Sequence, residues 1–211
     1  QDSTERVKAM ARKTTDFSSY AMSPILIGFM AVAEPFVSFL LTDKWLPCVP
    51  YLRICCVVLL FRAPQTAILQ AVKAVGRSDS VLKADLPIRV FALMILCVSL
   101  KFGVLIFALS EVIVTIFGTV LYAVVAKRII NYNGFEVCRD FIPNVLMSVI
   151  MGGIVWWIGM RLPWNPFWVM IIQLILGLGV YVSLSVVMKA SGFFEMKSIM
   201  MRYYLKMKRE G

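Results

Sequence analysis

The chain has 211 residues, of which 60% are hydrophobic and 16% are charged, and its mean hydropathy is +0.83. Soluble domains have about 45–50% apolar and about 25% charged residues, so this composition excludes an ordinary soluble domain and predicts an all-α, polytopic transmembrane helical bundle. The formal net charge of +10 would suggest nucleic acid in a soluble protein. Beside membrane spans the same charge is an orientation signal, so we expect no nucleic-acid partner.

The first element predicted is a polar, basic segment over residues 1–18. It begins at Gln1 and not at a methionine, and we expect the chain to be a fragment of a longer protein. Its basic residues lie off one helix face, which is typical of a helix that lies on an anionic leaflet. The residues that share this face are Val7, Met10, Ala11, Thr14 and Phe17.

Six apolar stretches follow, each near the roughly 20 residues that a helix needs to cross a bilayer. The predicted spans are about 19–41, 50–73, 82–101, 104–126, 142–162 and 165–188. The third and fourth are separated only by Lys101-Phe102-Gly103. As one helix, 82–126 would be about 67 Å long, more than twice the thickness of the bilayer, so we expect two spans with a tight turn at Gly103.

Basic residues concentrate in alternate connections of this six-span arrangement. Lysine and arginine favour the cytoplasmic side, so both termini are expected to be cytoplasmic. The turns at Trp45 and at Trp164 and Trp168 then lie outside, with the tryptophans at the headgroup level. Residues 190–211 are expected to form a basic cytoplasmic tail that either lies on the membrane or is an ordinary tail. The apolar residues on one face of this tail are Phe193, Met196, Met200, Tyr203 and Met207.

The residue types and spacings that usually form catalytic or metal sites are scarce in this chain. The chain has five cysteines and no histidine, no CxxC spacing, and only short connections between the spans. We therefore expect no metal site, no cofactor and no catalytic residue, and we predict that the chain is not an enzyme.

Four stretches carry a resemblance to a known family. They are "DSTERVKAMARKTT" (2–15), "AEPFVSFLLTDKWLPCVPYLRI" (33–54), "LQAVKAVGRSDSVLKADL" (69–86) and "NGFEVCRDFIPNVLMSVIMGG" (133–153). Their order resembles the polysaccharide transporter family. These are the O-antigen and exopolysaccharide flippases of the superfamily that also holds the multidrug and toxic-compound extruders. One departure is Thr42, which stands where the family pattern has glycine.

The resemblance implies the C-terminal part of a flippase about twice as long, with the N-terminal bundle of the same protein missing. It implies a multi-pass protein of the bacterial cytoplasmic (inner) membrane. Such a protein moves a polyprenyl-pyrophosphate-linked oligosaccharide across that membrane, in contact with membrane lipids, for lipopolysaccharide or exopolysaccharide biosynthesis.

Charges inside the spans give the candidate site, because ionisable residues in a membrane usually face a cavity or a partner. Arg62 is near the middle of the second span, and Gln65 and Gln70 follow it. On the functional interpretation Arg62 faces a central cavity, its guanidinium binds the pyrophosphate, and Gln65 and Gln70 also bind the substrate. The alternative for Arg62 is a structural pair within the bundle. Glu34 and Glu111 either carry a coupling proton or are structural, and Arg53 is the expected partner of Glu34.

Three other function classes stay open. A drug antiporter of the same superfamily needs a midplane carboxylate for a cationic substrate, and the midplane charge predicted here is that of Arg62. A membrane-embedded enzyme of polysaccharide biosynthesis needs acidic or histidine groups in a large loop. A purely structural subunit predicts that loss of Arg62 lowers stability and leaves transport intact.

Overall fold

The computed structural model describes residues 2–162, 165–188 and 192. In these residues the chain forms six α-helices and no strand: α1 (Asp2–Leu41), α2 (Val49–Ala74), α3 (Ser78–Ser99), α4 (Val104–Ile130), α5 (Gly134–Arg161) and α6 (Pro166–Val187). Two short 3₁₀ helices, Asp43–Cys48 and Leu100–Phe102, make the turns after α1 and α3. The fold class is the all-α bundle that the composition predicts. Trp164 and the predicted tail, apart from Gly192, lie outside the described residues.

Five of the six helices are long and apolar enough to cross a membrane, and the chain is a multi-pass membrane protein. The helix that does not meet this description is α3, which carries Lys83, Asp85 and Arg89 in its interior. A break at Gly103, whose φ is +99°, separates α3 from α4, at the position where the sequence predicts a tight turn. Whether α3 is the sixth span stays a prediction.

The long helix α1 is the centre of the bundle. It packs against α2, α5 and α6, while α4 packs between α2 and α3, and α6 packs against α5. Four small residues of α1, each four positions from the next, are buried in these contacts: Ala11, Thr15, Ser19 and Ser23. Small residues at this spacing let helix backbones approach closely.

The predicted lead-in helix over residues 1–18 is not a separate element. It continues without a break into the predicted first span, so α1 has 40 residues and is about 60 Å long. Of the predicted apolar face, Met10 and Thr14 are exposed and Ala11 is buried, and contact of this face with a leaflet stays a prediction. The buried face of α1 is lined by small side chains, because close packing against the neighbouring helices favours them over large apolar ones.

The basic end of the bundle, which we define by Lys73, Arg77, Lys127 and Arg128, has its own core. Ala11, Val72, Ala126 and Tyr132 are buried together there, where α1, α2, α4 and the α4–α5 connection meet. The helix α5 begins eight residues before 142, the predicted start of the fifth span, and the bound of the span itself stays a prediction. Asn133 and Glu136 form a capping box that starts α5 at Gly134, so the charged residues before 142 belong to the helix.

A polar cluster ties α1 to α5 at this end. Arg12 donates from Nε to Asp140 Oδ2 at 2.9 Å and from Nη2 to Oδ1 at 3.0 Å, and the Tyr132 hydroxyl donates to Oδ2 at 3.0 Å. Lys8 and Glu136 form a second ion pair at 3.2 Å. Burial, and next the adjacent Asp140 carboxylate, raise the pKa of Tyr132, so this phenol stays protonated and keeps donating.

The connection after α1 has unusual backbone geometry. Thr42 has a φ of +76°, in the region that favours glycine and is rare for a β-branched residue. The turn therefore has a backbone conformation typical of glycine although the residue is threonine. Glycine is the residue that the resembled family pattern has at this position.

The crossing of α1 and α5 depends on Gly152. A Cβ atom placed there would lie 2.6 Å from Ile27 Cγ2, whereas one at the adjacent Gly153 would meet nothing within 4 Å. We expect Gly152→Ala to lower the free energy of unfolding by about 1–3 kcal/mol, because overpacking forces the two helices apart. Thermal unfolding in detergent measures this, with Gly153→Ala as the matched control. Equal stability of the two variants would contradict the close crossing.

Candidate substrate cavity

A cavity of about 380 Å³ lies between α2, α3 and α4. It is partly open. The residues that line it come from the three helices in turn: Arg62, Gln65, Thr66 and Leu69 from α2; Asp85, Ile88, Arg89 and Ala92 from α3; and Glu111, Val114, Thr115, Gly118 and Tyr122 from α4.

The floor of the cavity is the surface of α4. Gln65 Nε2 donates to the Thr115 carbonyl oxygen and to Thr119 Oγ1, each at 2.8 Å. A Cβ atom at Gly118 would lie 3.6 Å from both Gln65 Nε2 and Ile88 Cδ1, so the absent side chain leaves room for residues from both flanking helices. Gln65 therefore joins α2 to α4, and its amide nitrogen is already used in that role.

Four charged side chains line the cavity, two of each sign. Asp85 accepts a hydrogen bond from the Tyr122 hydroxyl. Within the described part of the chain, the side chains of Arg62, Arg89 and Glu111 make no ion pair within 4 Å and no hydrogen bond. Both arginines are exposed and Glu111 is half-buried. Two guanidiniums and one carboxylate are thus available to a ligand.

The predicted site residues separate into two regions. Arg62, Gln65 and Glu111 line the cavity together, whereas Gln70 is exposed on α2 and does not line it. Glu34 and Arg53 lie apart from the cavity and form an ion pair, with Arg53 Nη2 2.9 Å from Glu34 Oε1. Arg53 Nε also donates to the Met30 carbonyl oxygen at 3.3 Å. This is the structural partnership that the sequence analysis favours for Glu34.

Three cavity residues were not expected at the site. Asp85 and Arg89 have the i,i+4 spacing of a helical ion pair, but they form no ion pair within 4 Å, and Asp85 instead accepts a hydrogen bond from the Tyr122 hydroxyl. The third span was predicted to begin at 82, but α3 begins at Ser78, which puts both residues about one turn deeper in the helix. The sequence does not predict that Tyr122 lines a cavity, because a tyrosine in an apolar helix can equally face lipid.

Comparison with known proteins adds two findings. A family model described as "Polysaccharide biosynthesis protein" matches residues 1–50. The structure of the lipid II flippase MurJ, in an inward closed conformation, superposes with a TM-score of 0.68 at 18% sequence identity, over 86% of this chain and 41% of that one. No curated protein sequence matches the chain.

These findings confirm the resemblance that the sequence motifs carry. The family model covers the first stretch and most of the second, and the bundle has the same fold as the part of MurJ that it superposes on. The chain spans 41% of the length of the MurJ chain that it matches.

Proposed function

We propose that this chain is part of a membrane flippase that moves a polyprenyl-pyrophosphate-linked oligosaccharide across the bacterial cytoplasmic membrane for surface polysaccharide biosynthesis. The observation that carries the proposal is the pair of guanidiniums, Arg62 and Arg89, that line one cavity without ion-pair partners among the described residues. A guanidinium stays charged and donates in a planar fork that matches phosphate. Two of them suit a diphosphate.

The proposed topology follows from the charge pattern. All six helices cross the membrane, and the basic end is cytoplasmic together with both termini, with residues 1–18 and 190–211 near the inner surface. Arg62 is then near the midplane, because it is the 14th residue of the 26 in α2. Transporter sites commonly lie at this depth, at the interface of two bundles.

The cavity has one wall formed by α2, α3 and α4 and an open side. We propose that the N-terminal bundle of the same protein covers that side, as the partial coverage of MurJ suggests. The two bundles alternate access of the cavity to the two leaflets, and no covalent bond of the substrate changes. The role of this chain is to bind the diphosphate and to shield it from lipid.

The test is deletion of the gene for the whole protein. Lipid-linked glycan is expected to accumulate in the inner leaflet while surface polysaccharide is lost, because synthesis continues and translocation stops. Metabolic labelling of the glycan, followed by separate measurement of the lipid-extracted and surface fractions, reads out both quantities. Unchanged surface polysaccharide would contradict the proposal.

A cation antiporter is the second candidate, since Glu111 lines the cavity and has no ion-pair partner within 4 Å among the described residues. A carboxylate at this place is what a cationic substrate requires. Under this alternative, deletion raises the sensitivity of the cells to cationic drugs and leaves surface polysaccharide unchanged. The two functions therefore give opposite results in the same strain.

A further inference from the structure

One face of α2 is exposed from Cys55 to Lys73, and its chemistry changes at Arg62. Toward the basic end, the exposed residues Thr66, Gln70 and Lys73 follow Arg62 at steps of four, four and three, which keeps them on one side of a helix. Toward the opposite end, the exposed residues on the same side are Leu59, which is 46% exposed, and Cys55. The face is polar in one half and apolar in the other.

The polar half has the length of half a membrane. Arg62 and Lys73 are 11 positions apart, or about 17 Å at 1.5 Å per residue, against a hydrocarbon core about 30 Å thick. A run of polar and basic side chains is unfavourable against lipid tails. It is favourable where water reaches it, so the polar face is suited to a water-filled path from the basic end to Arg62.

We infer that this face, from Lys73 through Gln70 and Thr66 to Arg62, is the route by which the anionic head group of the substrate reaches the cavity from the cytoplasmic side. The inference rests on the proposed function for the identity of the substrate. The route begins and ends on a cation, with neutral hydrogen-bonding side chains between, so a diphosphate is attracted at both ends without being held midway. The apolar half beyond Arg62 does not continue the route.

On this route Gln70 has a different role from the substrate-binding one that its place after Arg62 predicts. It does not line the cavity, and as an exposed amide between Lys73 and Thr66 it contacts the head group in transit. Gln70 and Lys73 therefore contact the head group only while it moves along the route. Arg62 and Arg89 bind the substrate once it is in the cavity.

Cysteine labelling of the whole protein in inside-out membrane vesicles tests the route. Single cysteines are introduced by Thr66→Cys and Gln70→Cys in a variant whose native cysteines are replaced. The controls are Leu59→Cys, in the apolar half of the same face, and Leu93→Cys on α3, where the side chain is 60% exposed. Membrane-impermeant methanethiosulfonates, one anionic and one cationic, are added from the cytoplasmic side.

The expected result is labelling of Thr66→Cys and Gln70→Cys at least about tenfold faster than either control, because the reactive thiolate forms in water and not in lipid. The anionic reagent is expected to react faster than the cationic one at both positions. Adding Lys73→Gln should lower this preference by roughly two- to fivefold, the effect of one unit charge about 8 Å away in water.

Slow labelling of both test positions, like that of Leu93→Cys, would overturn the inference, and so would fast labelling without preference for the anionic reagent. The measurement needs no substrate and therefore separates the route from the proposed function. The labelling can be anion-selective while deletion of the gene leaves surface polysaccharide intact. That combination would support the route and would exclude the glycan as the substrate.

Discussion

Replacement of Arg62 by alanine in the whole protein is expected to reduce surface polysaccharide severely without reducing the amount of protein in the membrane. Loss of one partner from a desolvated, charge-assisted contact costs about 2–4 kcal/mol, or roughly 30- to 1,000-fold in affinity. The bundle itself should tolerate the change, because the exposed Arg62 side chain makes no hydrogen bond or ion pair with the described residues. Surface polysaccharide and an immunoblot of the membranes measure the two quantities.

Two further variants make this prediction specific. Arg62→Lys keeps the charge and loses the planar fork, so partial export is expected. Arg53→Ala removes an arginine from the same helix that is paired with Glu34. This exposed pair contributes little to stability, so the variant should leave both export and abundance nearly unchanged. A parallel fall of export and abundance in Arg62→Ala would instead make Arg62 a structural residue.

Arg12→Ala is expected to be the most destabilising of the changes to charged residues outside the cavity. It leaves the Asp140 carboxylate, whose side chain is 9% exposed, with the Tyr132 hydroxyl as its remaining side-chain donor among the described residues. A buried charge that loses its partner costs several kcal/mol. Because the Arg12 side chain is itself 45% exposed, solvent recovers part of that cost, and we expect a loss of about 1–3 kcal/mol in the free energy of unfolding.

Thermal unfolding of the purified protein in detergent measures this effect. The matched control is Lys8→Ala, which removes the neighbouring ion pair with Glu136. It should lower the free energy of unfolding less, because both side chains of that pair are more exposed than Asp140. A double variant, Arg12→Ala with Asp140→Ala, should be less destabilised than the sum of the two single changes. Additive effects would contradict the direct coupling of α1 to α5 through this pair.

Much of the fold could be predicted from the sequence because the signals are local. The apolar runs have the length of a membrane span, and Gly103 separates α3 from α4 because a glycine there allows a φ of +99°. The start of α5 was missed because charged residues, Glu136 and Asp140 among them, resemble a loop when only hydropathy is considered. Their partners on α1, which make them part of a helix, are about 130 residues away in the chain.

The cavity could be predicted only in part for the same reason. Arg62 can be identified from the sequence as a site residue, because a charge inside an apolar span is costly and usually faces a cavity or a partner. Arg89 and Tyr122 reach the same cavity through the packing of α3 on α4, which no pattern within either helix specifies. Gln65 donates hydrogen bonds to Thr115 and Thr119, whereas Gln70 is exposed. The sequence does not predict this difference, because both glutamines follow Arg62 in the same span.

The most direct test of the account is the affinity of the purified, full-length protein for a polyprenyl diphosphate in detergent, compared between the natural protein and Arg62→Gln. We predict that the natural protein binds this lipid and that Arg62→Gln weakens binding by at least about tenfold, or 1.4 kcal/mol, while Arg53→Gln binds as the natural protein does. Equal affinity of Arg62→Gln and the natural protein would contradict the assignment of this cavity to the diphosphate.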